Sequence, residues 1–299
     1  MIDPVIFSFN LFGITIALRW YGVLVMTGVI VAAWIAEREL VRHGENGEHI
    51  WNSLIWALPV GVVGARLWYV ANTTLGGNPY YMQNPGQILN IPQGGLHFYG
   101  GLLFGGIAMY IYIKRNNLDL WLLMDVAAPV TMIGQAIARP ANFINQELYG
   151  QPTTLPWGIP IDAAHRISQY SDMTLYPAST RFHPTFAYEM IWNFVTAGTL
   201  LWLARKFPEK FKPGAMFSWW LVLAGVGRVL IEFFRPDQPR IPGTGVSYSA
   251  LVAGLMALAG AIMLLVRYGY IRLKFAENWE EQYQINEQPQ KVEVAEEAV

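Results

Sequence analysis

The side chains best able to do chemistry in this sequence are a few ionisable residues within long apolar stretches. Charged groups are costly in such segments, so each is a functional candidate by default. Arginine guanidiniums bind phosphate through paired hydrogen bonds, and a carboxylate in an apolar setting can act as a general base. The candidates are Arg66, Arg139, Glu189, Arg228 and Glu232, with Tyr21, Tyr99, Asn142 and Asn145 near the ends of the same stretches.

Each candidate also has a purely structural explanation. Arg228 and Glu232 are spaced i, i+4 on one predicted helix and could simply neutralise each other. Arg66 could extend its charge to a membrane interface, and His183 could be a structural hydrogen-bonding residue. The two tyrosines could belong to an interfacial aromatic belt, and the glycine-rich run Gly100–Gly106 predicts close helix packing.

The composition indicates a membrane protein. Of 299 residues, 54% are hydrophobic and only 14% are charged, against roughly 25% charged in an ordinary soluble domain. This excludes intrinsic disorder of the whole chain. The sequence contains no cysteine, so it has no disulfide, no thiolate metal site and no cysteine nucleophile. We expect no metal and no cofactor, and the scattered basic residues indicate no nucleic-acid partner.

Seven apolar stretches approach the length of about 20 residues that a helix needs to cross a bilayer. We therefore predict an all-α, polytopic membrane domain over residues 1–275, with seven transmembrane helices. The stretches are Leu18–Ile35, Ile50–Val70, Phe98–Ile113, Leu120–Ala138, Phe186–Ala204, Ala215–Phe233 and Tyr248–Val266.

The distribution of basic residues predicts the orientation of these helices. With the N-terminus outside, the inner segments 36–49, 114–119, 205–214 and 267–275 carry eleven Lys and Arg residues, whereas the outer segments 1–17 and 71–97 carry none. An excess of basic residues marks the cytoplasmic side. The C-terminus is then cytoplasmic, and its acidic segment 276–299 is predicted to be disordered.

In this orientation the candidate residues lie in the outer half of the membrane, and Asp125 alone lies in the inner half. A transporter would carry polar groups through both halves, and many transporters contain internal repeats, of which we find none. The long outer segment 139–185 predicts a small ordered head. The pattern favours a site that opens to the outer leaflet, where the nearest abundant phosphate is a phospholipid head group.

The segment Arg139–Gly150 resembles the signature of the prolipoprotein diacylglyceryl transferases, which reads approximately G-R-x-G-N-F-I-N-x-E-x-x-G. Other segments resemble further motifs of that family, in the same order along the chain. They are Asp3–Phe7, Arg19–Gly22 (R-W-Y-G), Gly64–Tyr69 (G-x-R-x-x-Y), Gly94–Gly101 (G-G-L-x-F-Y-G-G), His183–Glu189 (H-P-x-x-x-Y-E) and Arg228–Arg235 (R-x-x-x-E-x-x-R).

The resemblance implies an enzyme of the bacterial cytoplasmic (inner) membrane. The family transfers the diacylglyceryl group of phosphatidylglycerol to the thiol of the lipobox cysteine in a prolipoprotein, which is the first step of lipoprotein maturation. The product is a thioether, and glycerol phosphate leaves. The implied partners are therefore phosphatidylglycerol and the signal peptide of a prolipoprotein, and the thiol arrives on the substrate.

The resemblance also implies roles for individual residues. Arg139 and Arg228 would bind the phosphate, and Glu232 and Glu189 would hold an arginine in place. Asn142, Asn145 and Glu147 would orient the head group and their loop. Further candidates at matching positions are Tyr21 and Tyr99 for the reaction, Arg66 and His183 for substrate binding, and Gly150, for which we expect an unusual backbone conformation.

Two positions depart from the family pattern. Many members have histidine where this chain has Tyr99, and tyrosine is a poor base near neutral pH because its ordinary pKa is about 10. The thiol could lose its proton to Tyr99, to a carboxylate, or without a dedicated base. The signature glycine is also absent, since Pro140 and Ala141 follow Arg139. These departures leave a catalytically silent homologue as an alternative, beside the less favoured transporter.

Overall fold

The computed structural model describes residues 2–11, 14–91, 94–277 and 279–286. The acidic residues 287–299, over which our prediction of a disordered tail extends, lie outside this range. The strands are β1 (Val5–Leu11), β2 (Ile14–Arg19), β3 (Pro152–Thr153), β4 (Ile159–Pro160) and β5 (Arg181–Phe182). The α-helices are α1 (Trp20–Arg42), α2 (Glu48–Leu75), α3 (Tyr80–Gln83), α4 (Phe98–Arg115), α5 (Leu120–Ala138), α6 (Pro140–Ile144), α7 (Thr185–Lys206), α8 (Ala215–Glu232) and α9 (Tyr248–Arg267).

Each of the seven predicted apolar stretches coincides with one long helix, namely α1, α2, α4, α5, α7, α8 or α9. Within the described ranges, five of these are long and apolar enough to cross a membrane: α1, α2, α5 continued through α6, α8 and α9. Two have lower mean hydropathy because α4 ends in Lys114 and Arg115 and α7 carries Glu189 and Asn193. The chain is mostly helical and multi-pass, as the composition predicts.

The prediction of an all-α chain missed a β-hairpin before the first long helix. Strands β1 and β2 pair antiparallel, with Val5 opposite Arg19 and Phe7 opposite Leu18. The first helix therefore begins at Trp20, two residues later than predicted. The run Ile14-Thr15-Ile16 is rich in β-branched residues, which favour a strand, but its apolar character made it look like the approach to a membrane span.

The chain divides into two compact units. The described residues of 1–35 and 124–282 form one, and those of 36–123 and 283–299 form the other. In the second unit, α2 and α4 pack so closely that a Cβ added to Gly64 would lie 2.3 Å from the Cβ of Phe104. In the first unit, α8 and α9 pack equally closely at Gly225, where an added Cβ would lie 2.4 Å from the Ala253 carbonyl oxygen.

The segment 139–185 has a small apolar core of its own. Strands β3 and β4 both pair with β5, and Phe182 of β5 is fully buried. Its ring packs in one apolar cluster with Tyr149, Ile161 and Tyr170. This core holds the two ends of the segment together, so it positions the signature residues that precede it and the residues of α7 that follow it.

Candidate active site

The signature begins at a helix junction. Helix α5 ends at Ala138, and Arg139 then serves as the N-cap of α6 with helical dihedral angles (φ −58°, ψ −34°). Pro140 takes the first position of α6, where a missing N–H and a fixed φ are tolerated. Ala141 is fully buried in the helix. The replacement of the family glycine therefore leaves a regular helical turn at this point.

Arg139 makes an ion pair with a carboxylate from another motif. One of its terminal nitrogens, Nη2, contacts Oε2 of Glu189 in α7, and both side chains are largely shielded from solvent. The Nε atom of Arg139 is buried, and no hydrogen-bond partner for it occurs in the described part of the chain. The guanidinium is thus held from one side and retains a donor for a further acceptor.

The two signature asparagines both bind the signature glutamate. The side-chain amides of Asn142 and Asn145 donate to Oε1 of Glu147 at 2.9 and 3.2 Å, and the Glu147 N–H donates to the Asn142 carbonyl. The chain turns sharply here, because Gln146 and Leu148 have left-handed φ angles of 53° and 55°. These bonds fix the loop immediately after α6.

Gly150 lies where three segments meet. Its N–H donates to the His183 carbonyl at 2.8 Å, and the next N–H, of Gln151, donates to the Phe234 carbonyl at 3.0 Å. Our expectation of an unusual backbone was wrong, because the φ of Gly150 is not positive. Space is the constraint: a Cβ would lie 2.7 Å from the Phe234 oxygen and 2.8 Å from the Cβ of His183.

His183 belongs to an aromatic wall beside this junction. Its Nδ1 lies 3.0 Å from the Tyr188 hydroxyl, and its ring packs 5.0 Å from the ring of Phe234. Trp157 donates to the same hydroxyl at 2.8 Å. Burial lowers the pKa of His183, which favours the neutral imidazole. The contacts show it as a packing and hydrogen-bonding group.

Arg228 lies in a polar cluster near the end of α8. Its Nη2 is 2.9 Å from Oε2 of Glu232 and donates to Oε1 of Gln238 and to the Ser249 hydroxyl, each at 3.1 Å. The Ser249 hydroxyl also lies 3.2 Å from Glu232 Oε2. The other terminal nitrogen, Nη1, is buried without a hydrogen-bond partner in the described ranges. Both phosphate candidates therefore retain an unused buried donor.

A third arginine connects the two pairs electrostatically. Arg235 is buried and makes two hydrogen bonds to Asp237, at 2.8 and 2.7 Å. Burial opposes its charge, but Asp237, together with the carboxylates of Glu189 and Glu232, raises the pKa of Arg235. Sequence reasoning placed Arg235 in a motif without giving it a role. Its spacing of seven residues from Arg228, two helical turns, was the available signal.

A groove opens beside the Arg228 cluster between the end of α8 and α9. It has a volume of about 690 Å³ and a mostly apolar floor that includes Leu251, Gly254 and Leu258. Its polar lining includes Glu232, Arg240 and Ser247. The groove therefore joins an apolar surface to a few polar and charged side chains.

Arg66 lies in the other unit with its donors already engaged. The side chain is 3% exposed. Its nitrogens donate to the backbone carbonyls of Gln87, Ile88 and Gly94 at 2.7 to 2.8 Å and to that of Gly95 at 3.3 Å. The guanidinium also packs against the ring of Tyr81. Arg66 thereby secures the segment that leads into α4.

The two candidate tyrosines are exposed. Tyr99, in the first turn of α4, has 63% of its surface accessible, and Tyr21, in the first turn of α1, has 47%. The rings of Tyr99 and His97 are 5.5 Å apart. The Nδ1 atom of His97 is buried, and the described residues offer it no hydrogen-bond partner. These two side chains form a separate cluster at the start of α4.

No group of three or more His, Cys, Asp or Glu side chains that could hold a metal occurs in the described part of the chain. The charged clusters around Arg139 and Arg228 are instead arginine–carboxylate pairs. Such pairs can bind and orient an anion, and they can stabilise a negative charge that develops on a leaving group.

The comparisons with known proteins agree with this chemistry. The family described as prolipoprotein diacylglyceryl transferase matches residues 6–266. The chain is 38% identical to the phosphatidylglycerol–prolipoprotein diacylglyceryl transferase of Chloroflexus aggregans over 270 residues, which cover 87% of each protein. It is 34% identical to the protein of that name from Enterococcus faecalis over 268 residues, 90% of this chain and 92% of the relative. The corresponding protein of Bacillus mycoides is 38% identical over 219 residues, 73% of this chain and 77% of the relative.

Proposed function

Because the chain belongs to the prolipoprotein diacylglyceryl transferase family, we propose that it transfers the diacylglyceryl group of phosphatidylglycerol to a prolipoprotein. The acceptor is the thiol of the lipobox cysteine. This transfer is the first step of lipoprotein maturation and takes place in the bacterial cytoplasmic membrane. The absence of cysteine from the chain is consistent with a thiol that comes only from the substrate.

The reaction is a displacement at the glyceryl carbon that carries the phosphate ester. The cysteine sulfur forms a bond to this carbon, the carbon–oxygen bond to phosphate breaks, and glycerol phosphate leaves with the bonding electrons. The thiol proton is released. Negative charge accumulates on the departing phosphate, so fixed guanidiniums at that position lower the barrier.

The observation that carries this proposal is the pair of anchored arginines. Arg139 and Arg228 each contact a carboxylate, Glu189 and Glu232, that fixes the guanidinium from one side. Each also keeps a buried nitrogen without a partner in the described residues. Phosphate oxygens would accept hydrogen bonds from these two nitrogens. The carboxylates act as positioning residues, and Arg235 adds positive charge nearby.

The other candidate residues have supporting roles in their own segments. Asn142, Asn145 and Glu147 hold the loop that follows Arg139, and Gly150 keeps that loop in contact with the His183 segment and with the end of α8. Arg66 secures the entrance to α4. We assign Tyr99 and Tyr21 to the reaction because they match positions in the motifs of the family.

The lipid enters laterally through the groove between α8 and α9. One acyl chain lies along the apolar floor, while the head group meets the charged end near Glu232 and Arg240. All seven long helices span the membrane in this proposal. The N-terminus and the head at 139–185 are outside, because the basic residues concentrate in the opposite loops.

The direct test is a lipidation assay with purified protein, phosphatidylglycerol and a lipobox peptide, read by mass spectrometry of the peptide cysteine. We expect a diacylglyceryl adduct from the wild type and none from Arg139→Ala. A folded wild-type protein that binds phosphatidylglycerol but gives no adduct would be a silent homologue. Flipping of labelled phospholipid across vesicles without adduct would indicate a transporter.

The orientation is testable because the chain has no cysteine of its own. Single-cysteine variants at exposed loop positions would be labelled in intact cells with a membrane-impermeant maleimide. We expect labelling of Asp172→Cys in the head, and no labelling of Asn117→Cys between α4 and α5 until the cells are opened. The reverse pattern would refute the proposed orientation.

A further inference from the structure

Asp125 is a buried ionisable residue that the proposed function does not use. It lies in α5 and is only 4% exposed. Both of its carboxylate oxygens accept hydrogen bonds from the start of another helix, α8. Oδ2 accepts from the Gly214 N–H at 2.5 Å, and Oδ1 accepts from the Phe217 N–H at 2.7 Å. We call these two hydrogen bonds the Asp125 contact.

The Asp125 contact gives α8 the cap that its own sequence lacks. The first N–H groups of a helix have no partner within the helix, and a side-chain oxygen at the N-cap position commonly accepts from one of them. The N-cap of α8 is Gly214, which has no side chain and a left-handed φ of 85°, a conformation that suits glycine. A carboxylate of α5 takes over this role, and its negative charge lies at the positive end of the α8 dipole.

The same two helices are joined again at their other ends. Helix α5 continues through α6 into the signature loop, where the Gln151 N–H donates to the Phe234 carbonyl at 3.0 Å. The side chain of Gln151 donates to the Phe233 carbonyl at 2.7 Å, and both phenylalanines directly follow α8. The two helices therefore run in the same direction, from the Asp125 contact towards Gln151.

The two phosphate candidates lie equally far along their helices from the Asp125 contact. Arg139 is 14 residues beyond Asp125, and Arg228 is 14 residues beyond Gly214. At 1.5 Å per residue, each arginine is about 21 Å along its helix from this contact. If one helix slipped against the other, the guanidinium of Arg139 would move relative to that of Arg228.

We propose that Asp125 is a positioning residue for diacylglyceryl transfer, because it fixes the register of α5 and α8 and so places Arg139 and Arg228 around one phosphate group. This inference rests on the proposed function, which supplies the phosphate. A cap from within α8 would stabilise that helix alone, whereas a cap from α5 joins the two helices that carry the arginines. The reaction is sensitive to this placement, since a displacement of about 1 Å can lower a rate about 100-fold.

Distances between spin labels test the register without requiring turnover. The chain has no cysteine, so labels can be attached at Phe143→Cys in α6 and Leu230→Cys in α8, both at exposed positions. We expect one narrow distance distribution in the otherwise wild-type protein, and a broadened or shifted one when Asp125→Ala is added. The matched control is Asp119→Ala, which removes a cap within α5, the bond from the Leu122 N–H at 3.0 Å. It should leave the distribution unchanged.

Kinetics test whether this register serves the reaction. We expect Asp125→Ala to lower kcat for transfer about 100-fold per folded molecule, with little change in the KM for the lipobox peptide. Asp125→Asn keeps an acceptor for one of the two N–H groups and should show a smaller loss, which provides a test if the alanine variant does not fold. Asp119→Ala should keep the kcat of the wild type.

A double-mutant cycle separates positioning from general destabilisation. In this proposal Asp125 acts through the paired arginines, so its effect depends on both of them being intact. In an Arg139→Lys background, Asp125→Ala should lower kcat further by only about threefold or less, because mutations that act through one network are not additive. If Asp125 served only to stabilise the fold, the full loss would recur in that background.

An unchanged distance distribution, a wild-type kcat in Asp125→Ala, or full additivity with Arg139→Lys would overturn the proposal. The two proposals fail separately. If the wild type forms no adduct but Asp125→Ala broadens the label distances, the transferase function is refuted and the role of Asp125 in helix register is retained. If the wild type forms the adduct and Asp125→Ala changes neither the distances nor kcat, the opposite holds.

Discussion

Arg139 at the junction of α5 and α6 is ion-paired with Glu189 near the start of α7. The pair connects the signature motif to a second motif that lies beyond the segment 139–185. It fixes one edge of the guanidinium and leaves Nε without a partner in the described ranges. This geometry suits an arginine that must meet a phosphate in a defined orientation.

Replacing Arg139 with lysine keeps the charge but removes the planar set of donors. We expect Arg139→Lys to lower kcat for diacylglyceryl transfer by about 100-fold, the order of magnitude measured when a preorganised donor is lost from a reaction site. The melting temperature should stay close to that of the wild type. The assay is the same mass-spectrometric lipidation assay under saturating phosphatidylglycerol.

The matched control for this change is Arg115→Lys at the exposed end of α4, which should transfer normally. Glu189→Gln should give an intermediate loss that is largest in the KM for phosphatidylglycerol, because Arg139 remains but is less well fixed. Full activity of Arg139→Lys would show that a point charge suffices, and would remove the assigned role of the planar guanidinium.

The second prediction concerns Ser249, which bridges Arg228 and Glu232. Its hydroxyl is 3.1 Å from the Arg228 Nη2 and 3.2 Å from Glu232 Oε2. Ser249→Ala should lower the free energy of unfolding by about 0.5–1.5 kcal/mol, the net contribution of a typical hydrogen bond. It should also lower kcat/KM several-fold. Ser171→Ala, which removes an exposed local hydrogen bond, should leave kcat/KM unchanged; an equal loss in both variants would argue against the network.

The sequence predicts the long helices well because each is a continuous apolar run between polar loops. It predicts the hairpin of β1 and β2 poorly, since an apolar strand next to an apolar helix differs from it only in subtle residue preferences. The N-terminal boundary of α1 at Trp20 depends on strand pairing with residues near Val5, which no local pattern records.

The candidate site is predictable in its residues but not in its pairings. Motif spacing identifies Arg139, Glu189, Arg228 and Glu232, yet the contact between Arg139 and Glu189 arises only when the head folds. The contacts of Arg66 were also not predictable from the sequence. Its type and position suggested phosphate binding, whereas its donors are held by backbone carbonyls 21 to 29 residues away.

The third prediction concerns the Arg235–Asp237 pair and pH. Although burial opposes it, the hydrogen bonds and charge of Arg235 lower the pKa of Asp237 below its ordinary value of 3.8. The unfolded chain therefore takes up the proton first as the pH falls. The contribution of Asp237 to stability is complete above about pH 5 and is lost as the pH falls through 3.8 towards the folded-state value.

Asp237→Asn removes this contribution and leaves Arg235 buried without its charge partner. We expect the free energy of unfolding to fall by about 2 kcal/mol or more at neutral pH, because breaking a buried ion pair is destabilising. We also expect the melting temperature to depend less steeply on pH below 5. Asp172→Asn, at an exposed carboxylate in the segment 139–185, should change the free energy of unfolding little at neutral pH. Equal losses at neutral pH would contradict a specific role for the pair.

The fourth prediction follows from the space around Gly150. Gly150→Ala would bring a Cβ to 2.7 Å from the Phe234 oxygen and 2.9 Å from Thr185 Cγ2, so backbone must shift. We expect a destabilisation of about 1–3 kcal/mol together with loss of transfer. Gly198→Ala meets no atom within 4 Å and should be neutral or slightly stabilising; a neutral Gly150→Ala would disprove the steric requirement.

The fifth prediction addresses the chemistry at position 99. If the Tyr99 hydroxyl assists the thiol, Tyr99→Phe should lower kcat about 100-fold or more, within the range of general acid–base effects, without changing the melting temperature. Tyr99→His should remain active and gain an acidic limb in its pH–rate profile near 6.5, the ordinary pKa of histidine. Tyr270→Phe, at an exposed tyrosine beyond α9, is the control.

A wild-type kcat in Tyr99→Phe, together with an unaltered pH–rate profile in Tyr99→His, would exclude position 99 from proton transfer. Proton removal would then fall to a carboxylate or need no dedicated base. His97→Gln would test the neighbouring ring, whose Nδ1 is buried, in the same assay.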